Sequence, residues 1–324
     1  MVVLVTGGAG FIGGNFVHYL LKQYPNNRVI CLDALTYAGN PNTLANAKSN
    51  PNFTFIKGDI ADTQTVDAVF RRHRPDIVVN FAAESHVDRS IKHPQLFLHT
   101  NVMGTGVLLD TCLKYKVTRF HQISTDEVYG DLPLDRPDLL FYESSSLRPS
   151  SPYSASKASA DLLVCSYFRT YGLPVTISRC TNNYGPYQHP EKLIPKVIQC
   201  ALLNQPIPIY GTGQNMRDWV HVQDHCIAID HILHHGKAGE LYHIGGCQEL
   251  SNLQVVHQIL QILNKSEQLI TFVADRPGHD LRYALAVSKM HTQLQWSPSI
   301  AFSDGIQSTV QWYLEHQEWV NSCF

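Results

Sequence analysis

The sequence predicts an α/β protein built on a doubly wound parallel sheet, with a smaller C-terminal α/β substrate domain. Three observations predict it. Continuous apolar, β-branched runs alternate with amphipathic stretches through the first half, the pattern of a parallel sheet covered on both faces. A glycine-rich turn joins the first of these runs to the first amphipathic stretch. After about Cys180 the rhythm changes, with frequent Pro and Gly (Pro186, Pro190, Pro206, Pro208, Gly211, Gly213) and shorter strands.

Strands are expected at Val2–Thr6, Arg28–Asp33, Phe53–Lys57, Ile77–Phe81, Phe120–Thr125 and Val175–Arg179. Helices are expected between them at Phe11–Tyr24, Thr63–Arg72, Gln95–Tyr115 and Ser154–Tyr171. Helical patterns return at Lys192–Leu203, Asp224–His235, Leu253–Asn264 and Ser303–His316. This gives a first domain over residues 1–180 and a second over 181–324. The segment from about 224 to 246 is a candidate to return to the first domain.

Composition narrows the function. With 324 residues, 44% hydrophobic and 16% charged, the chain can bury a sizeable core. A net charge of -2 gives no whole-chain argument for nucleic acid or an anionic membrane. No apolar run reaches bilayer length and no basic-then-apolar leader is present, so a cytoplasmic location is expected. The eight cysteines form no C-x-x-C pair and read as free thiols in a reducing compartment. No metal site is expected among the 17 histidines. Val222, not Glu, follows His221 in the His221/His225 pair, and His231, His234 and His235 read as faces of one helix.

The turn Thr6-Gly7-Gly8-Ala9-Gly10-Phe11-Ile12-Gly13 follows a strand and opens a helix. Gly8, Gly10 and Gly13 satisfy G-x-G-x-x-G, and Gly7 adds a further glycine. Such glycines permit a tight turn and let backbone N–H groups approach a pyrophosphate at the positive end of the helix. Asp33 ends the second strand, twenty residues after Gly13. A carboxylate there accepts hydrogen bonds from a ribose diol and repels a 2′-phosphate, which favours NAD over NADP. A Rossmann-type NAD site is the reading.

Tyr153-Ser-Ala-Ser-Lys157 places a phenol and an ammonium at i and i+4, on one helical face. A nearby ammonium is expected to lower the phenol's pKa and make Tyr153 a base near neutrality. The pair begins the helix after the strand ending Ile123-Ser124-Thr125, so Thr125 can bond the same substrate oxygen. The glycine loop, Asp33, Asp59-Ile60, Asn101, Thr125, Tyr153 and Lys157 stand in the order of the extended short-chain dehydrogenase/reductases, which the sequence resembles. The resemblance implies that Gly7, Gly10, Phe11, Ile12, Gly13, Asp33, Asp59, Ile60, Ala82, Ala83, Asn101, Tyr153 and Lys157 hold NAD. Asp59 and Ile60 would flank the adenine, and Ala82–Glu84 would line the cofactor's path.

Thr125-Asp126-Glu127 narrows the family further. Epimerases of the superfamily carry small Ser or Ala after the hydroxyl residue, and two adjacent carboxyls supply an acid and a base that simple oxidation does not need. The triplet resembles the nucleotide-sugar 4,6-dehydratases. So do Ala83–Ile91, Thr100–Thr105, Thr181–Pro186, Pro190–Pro195, Arg217–Trp219 and Asp275–His279, which together span nearly the whole chain. The chain departs from the family pattern at His189, Leu281 and Ala286.

The resemblance implies a redox-neutral elimination. Tyr153 takes the C4 hydroxyl proton while a hydride leaves C4 for NAD. Glu127 then removes the C5 proton and Asp126 donates to the departing C6 hydroxyl. Hydride returns to C6, giving a 4-keto-6-deoxy sugar. For the nucleotide, the resemblance implies Arg217, Arg276 and Lys192 at the diphosphate, with Asn182 and Asn252 nearby. Pro208 and Tyr210 would border the base, and Ser85, His86, Leu193 and His279 complete the implied substrate set. Thymine and uracil nucleotides both fit. A non-catalytic NAD-binding scaffold has no reason to keep Thr125, Asp126, Glu127, Tyr153 and Lys157 together. A homodimer is implied, with the Gln95–Tyr115 and Ser154–Tyr171 helices pairing into a four-helix interface.

Overall fold

The computed structural model describes all 324 residues. The chain opens with β1 (Val2–Thr6), α1 (Phe11–Gln23), β2 (Arg28–Asp33), β3 (Phe53–Lys57), α2 (Thr63–His73) and β4 (Ile77–Asn80). Next come α3 (Val87–Lys92), α4 (Pro94–Phe97) and, after a π-helical Leu98–Gly104, α5 (Thr105–Tyr115). β5 (Arg119–Thr125) runs into a 3₁₀ turn at Asp126–Tyr129, and α6 (Pro152–Tyr171) leads to β6 (Val175–Cys180). Beyond it lie β7 (Asn182–Tyr184), α7 (Leu193–Leu202), β8 (Ile207–Tyr210), β9 (Met216–His221), α8 (Val222–His235) and β10 (Leu241–Ile244). The chain ends with β11 (Glu249–Ser251), α9 (Asn252–Ile262), β12 (Ile270–Val273), α10 (Ser288–Leu294), α11 (Phe302–Glu315) and α12 (Gln317–Asn321).

Seven strands form one parallel sheet in the order β10-β6-β5-β4-β1-β2-β3. β1 pairs with β2 on one side and β4 on the other, so the winding reverses there. A crevice opens at the carboxyl ends of strands at such a reversal, which places the ligand site before any side chain is considered. α1, α8 and α10 contribute to the core on one face of the sheet, and α2, α5 and α6 to the core on the other. A third core gathers α7, α9 and α11 around β8 and β9. Two small sheets accompany it, β11-β9-β7 and the pair β12-β8.

A cut at residue 180 leaves out part of the large sheet. β10 pairs in parallel with β6, and Val222, Cys226, Ile229, Met290, Leu294 and Trp296 share the core of β1 and α1. The chain therefore returns to the first body twice after entering the second. Where it leaves β10, Gly246 lies so close to β9 that an added Cβ would stand 1.8 Å from the Trp219 carbonyl oxygen. Only glycine permits that approach.

The expected single helix over Gln95–Tyr115 is divided. It starts at Pro94 and carries the π-helical Leu98–Gly104 before α5. Within it Asn101 is turned inward and Thr105 Oγ1 donates to the Asn101 carbonyl at 2.7 Å, a local deviation that hydrophobic periodicity does not register. The start of α6 is well specified. Ser151 and Ser154 form a reciprocal capping box with Pro152 in the first turn, which fixes the backbone that carries Tyr153. No helix is long and apolar enough to cross a membrane.

Candidate active site

The β1–α1 turn, the ends of β2, β4, β5 and β6, and the first turns of α6 line one cavity of about 320 Å³. Gly7, at φ +67, donates its N–H to the Leu32 carbonyl at 2.9 Å. A Cβ on Gly13 would stand 2.3 Å from the Gly7 carbonyl, so the turn packs against its own helix only because Gly13 lacks a side chain. The Gly10 cap of α1 has no side-chain partner, leaving backbone donors of the first turn free for an anion. Asp33 is buried. Its Oδ2 accepts from the Ala9 N–H at 2.9 Å and its Oδ1 from the Leu35 N–H at 2.7 Å. Each carboxylate oxygen keeps a lone pair for a diol. These groups fit a dinucleotide: a donor-rich helix end, a cradle with no side chains, and a buried acceptor.

Gly7, Gly10, Phe11, Ile12, Gly13, Asp33, Asp59, Ile60, Ala82 and Ala83 all line the cavity. Asn101 does not. It is 1% exposed, its Oδ1 accepts from the Glu84 N–H at 2.9 Å, and its amide donates to the Glu84 carbonyl and to Ser156 Oγ. Its polar atoms are spent on fixing the Glu84 loop against α6, so Asn101 braces the wall rather than forming it.

Thr125, Asp126, Glu127, Tyr153 and Lys157 also line the cavity. Thr125 Oγ1 lies 3.2 Å from Asp126 Oδ1 and accepts from the Glu127 N–H at 3.2 Å, so one hydroxyl orients both carboxyl residues. Asp126 Oδ2 is buried without a partner. Burial first, then the neighbouring Glu127 charge, holds the Asp126 carboxyl well above the usual range. Burial also raises Glu127, but Arg276, Arg217 and Lys192 oppose it there. The two carboxyls thus sit in unequal fields, one favouring the proton more than the other.

Tyr153 departs from the sequence expectation. Burial, then the Glu127 carboxylate, pushes its phenol well up, not down. Lys157 is not among the groups that oppose this rise; its Nζ donates to the Ile123 carbonyl at 2.6 Å.

The residues assigned to the nucleotide divide into two groups. Ser85, Asn182 and Lys192 line the cavity, with Lys192 Nζ 3.3 Å from the Ser85 carbonyl. His86, Leu193, Pro208, Tyr210, Arg217, Asn252, Arg276 and His279 lie outside that lining. Tyr210 donates to Asp88 at 3.3 Å, Arg276 lies 3.6 Å from the same carboxylate, and His279 pairs with Asp275. Arg217 acts on Glu127 through space, yet its own guanidinium donates to the carbonyls of Met216, Asp280 and Leu281 and lies over the Tyr283 ring. Those donors already have partners in the chain. His221 caps α8 and His225 Nδ1 bonds Asn183 Oδ1 at 2.7 Å, so both serve the fold.

Sequence reasoning missed Thr36, Ala38, Gly39, Cys180, Asn183, Gln188 and Glu191, which line the same cavity. Asn183 had a signal, since it adjoins Asn182 in the Thr181–Pro186 motif. Cys180 ends β6, and the others reach the cavity from loops whose course has no periodicity to read.

A glycine-turn dinucleotide cradle, a Thr–Tyr–Lys set and a parallel sheet of this order define an extended short-chain dehydrogenase/reductase. Residues 4–309 match the family model described as GDP-mannose 4,6 dehydratase. The dTDP-glucose 4,6-dehydratase of Xanthomonas campestris pv. campestris (strain B100) is 49% identical, covering 98% of this chain and 94% of its own. The low-salt glycan biosynthesis protein Agl12 of Haloferax volcanii is 51% identical over 98% of this chain and 100% of its own. Among solved structures, the dTDP-glucose 4,6-dehydratase DesIV of Streptomyces venezuelae, determined with NAD bound, superposes with a TM-score of 0.96 at 48% identity over 100% of both chains. A UDP-glucose 4-epimerase of Thermotoga maritima superposes at 0.90, with 29% identity over 98% of this chain and 100% of its own. The chain belongs to the nucleotide-sugar 4,6-dehydratase family, beside the dTDP-glucose 4,6-dehydratases.

The raised Asp126 carboxyl has a cost that can be measured. A folded-state pKa above the unfolded one removes stability as pH rises through it. Asp126→Asn should therefore melt a few degrees above the parent at about pH 8, with the gain fading toward about pH 4. A scan showing no gain at alkaline pH would contradict the assigned direction.

Proposed function

We propose that the chain catalyses the NAD-dependent dehydration of dTDP-glucose to its 4-keto-6-deoxy sugar. The observation that carries this is the Asp126–Glu127 pair beside Tyr153 at the end of β5, with Asp126 buried, Glu127 half-buried and the two held in unequal electrostatic surroundings. A 4-epimerase needs no such pair, although its fold is the same. Bound NAD supplies the hydride acceptor and donor of the cycle, and its positively charged oxidised ring would stabilise a Tyr153 phenolate.

Gly7, Gly10 and Gly13 admit the pyrophosphate, Asp33 takes the ribose diol, and Asp59, Ile60, Ala82 and Ala83 form the walls. Residues 1–180, with about 222–246, make up the body that holds the cofactor. Tyr153 receives the proton of the sugar C4 hydroxyl, and Thr125 bonds the same oxygen. Lys157 holds its positive charge one turn away. Once C4 is a ketone, the C5 hydrogen is acidic. Glu127, kept the more readily ionised by three cations, takes it. Asp126, kept protonated by burial, donates to the departing C6 hydroxyl. Glu127 then returns its proton to C5 as a hydride is delivered to C6, and the proton left on Tyr153 replaces the one Asp126 gave to the water. Lys192, Arg276 and Arg217 set a positive field for the diphosphate, with Arg217 acting at longer range because its donors are committed to carbonyls.

All eight cysteines are free, which supports a reducing, cytoplasmic location. The chain is also proposed to form a homodimer. Ile91, Leu96, Leu98, Met103 (62% exposed), Leu162 (61%) and Tyr171 (60%) leave the α3–α5 and α6 stretch with large uncovered apolar groups. Such a surface on two helical stretches marks an interface.

Glu127→Gln and Asp126→Asn should still oxidise at C4 but lose about 100-fold or more in water release, read by mass spectrometry of the sugar nucleotide. The parent's rate should fall on the acid side as Glu127 takes a proton and on the alkaline side as Asp126 and Lys157 lose theirs. Near-parental dehydration by both variants would overturn the roles, and faster turnover of UDP-glucose than dTDP-glucose would overturn the base. Leu162→Glu should sediment as a monomer; an unchanged sedimentation coefficient would remove the α6 interface.

A further inference from the structure

Beneath the site runs a chain of buried polar groups that the proposed steps do not use. Asp161 is on α6, one turn beyond Lys157 and two beyond Tyr153, and is 0% exposed. Its Oδ2 accepts from Ser124 Oγ at 2.8 Å and from Arg179 Nε at 2.9 Å. Ser124 and Arg179 are register partners on β5 and β6, immediately before Thr125 and Cys180. Arg179 Nη1 donates to the Tyr129 hydroxyl at 2.7 Å, and Tyr129 closes the turn that carries Asp126 and Glu127. The Tyr129 hydroxyl donates to His243 Nε2 at 2.6 Å, because Nδ1 must donate to the Ala286 carbonyl. His243 is neutral, its pKa pushed by burial to about 3.

We infer that Asp161 is a positioning residue for the dehydration proposed above, one carboxylate that locks the helix of Tyr153 and Lys157 to the strand and turn of Thr125, Asp126 and Glu127 and places a negative charge one turn from Lys157. The geometry leaves few other devices for either task. Only Asp161 bonds both α6 and the carboxyl ends of β5 and β6 through ionised hydrogen bonds. Its second oxygen, Oδ1, is buried and unpartnered. The titratable groups around Lys157 are Tyr153 and Asp161 on its own helix, Arg179 and Cys180 from β6, and Asp126 and Glu127 after β5. Burial lowers the Lys157 pKa, and Asp161 is the first group opposing that, ahead of Cys180. A purely structural ion pair would affect stability alone. This one should also set the pH range in which Lys157 is charged.

The test uses the full-length protein with its NAD. Asp161→Asn should lose about tenfold or more in kcat on dTDP-glucose with KM little changed, as expected when groups are misplaced rather than removed. Its alkaline limb should move down by about half a pH unit or more, since loss of the carboxylate favours neutral Lys157. At about pH 9 it should also lose NAD on gel filtration faster than the parent, since a neutral Lys157 binds the cofactor less well. Asp161→Asn can fail to fold, because it leaves Arg179 unpaired. The double variant Asp161→Leu/Arg179→Met removes both charges, which buried pairs tolerate better. The double variant should recover the parental melting temperature yet keep the shifted limb and the early NAD loss. A folded variant with parental kcat, limb and NAD retention overturns the inference. If the parent itself releases no water from dTDP-glucose, the assigned reaction fails, while the NAD-retention arm still decides the role of Asp161.

Discussion

The parallel pairing of β5 between β4 and β6 is the constraint on which the site depends. Register sets Ser124 opposite Arg179 and Thr125 opposite Cys180, so β5 ends level with its neighbour and the chain turns there. Everything after Thr125 therefore projects past the sheet edge, at the reversal beside β1. The glycine turn meets that edge from one side and the capped start of α6 from the other. A one-residue slip in β5 would exchange the faces of Ser124 and Thr125 and break the Ser124–Asp161 hydrogen bond. Each strand can be hydrophobic throughout because both faces are covered, and so the polar residues that do occur near the strand ends are conspicuous.

Burial at that edge has opposite consequences for stability and chemistry. A carboxyl enclosed among apolar and like-charged neighbours is held protonated, at an expense to the folded state that rises with pH. The same enclosure suits Asp126 to the proposed role of proton donor, and the more cationic surroundings of Glu127 leave it the easier of the two to ionise. The difference between the neighbours comes from the second body. Lys192, Arg217 and Arg276 all follow β6, and their field reaches Glu127 more strongly than Asp126. The bodies are thereby coupled electrostatically as well as by the chain's two returns to the large sheet.

Much of this was legible in the residues. The glycine turn and Asp33 were readable because a strand, a tight turn and a helix leave a local signature, and each fell where expected. So were Tyr153, Lys157 and the Thr125–Glu127 triplet, because helix spacing and strand end fix their directions. What stayed hidden depends on partners distant in sequence. Asn101 looked like a cofactor contact but spends its amide on Glu84, 17 residues away. Arg217 looked like a free phosphate fork, yet three of its five donors go to the carbonyls of Met216, Asp280 and Leu281. The direction of the Tyr153 shift depends on burial and on the Glu127 carboxylate, which helix spacing alone does not reveal. The π-helical Leu98–Gly104 is likewise invisible to a hydrophobic period.

The central claim is that one buried edge performs oxidation, elimination and return without releasing its cofactor. The most direct measurement is to incubate the protein as purified, without added NAD, with dTDP-glucose deuterated at C4. The product should be lighter by one water and carry the label at C6. Label appearing in solvent or in free cofactor, or a sugar nucleotide of unchanged mass, would contradict the account.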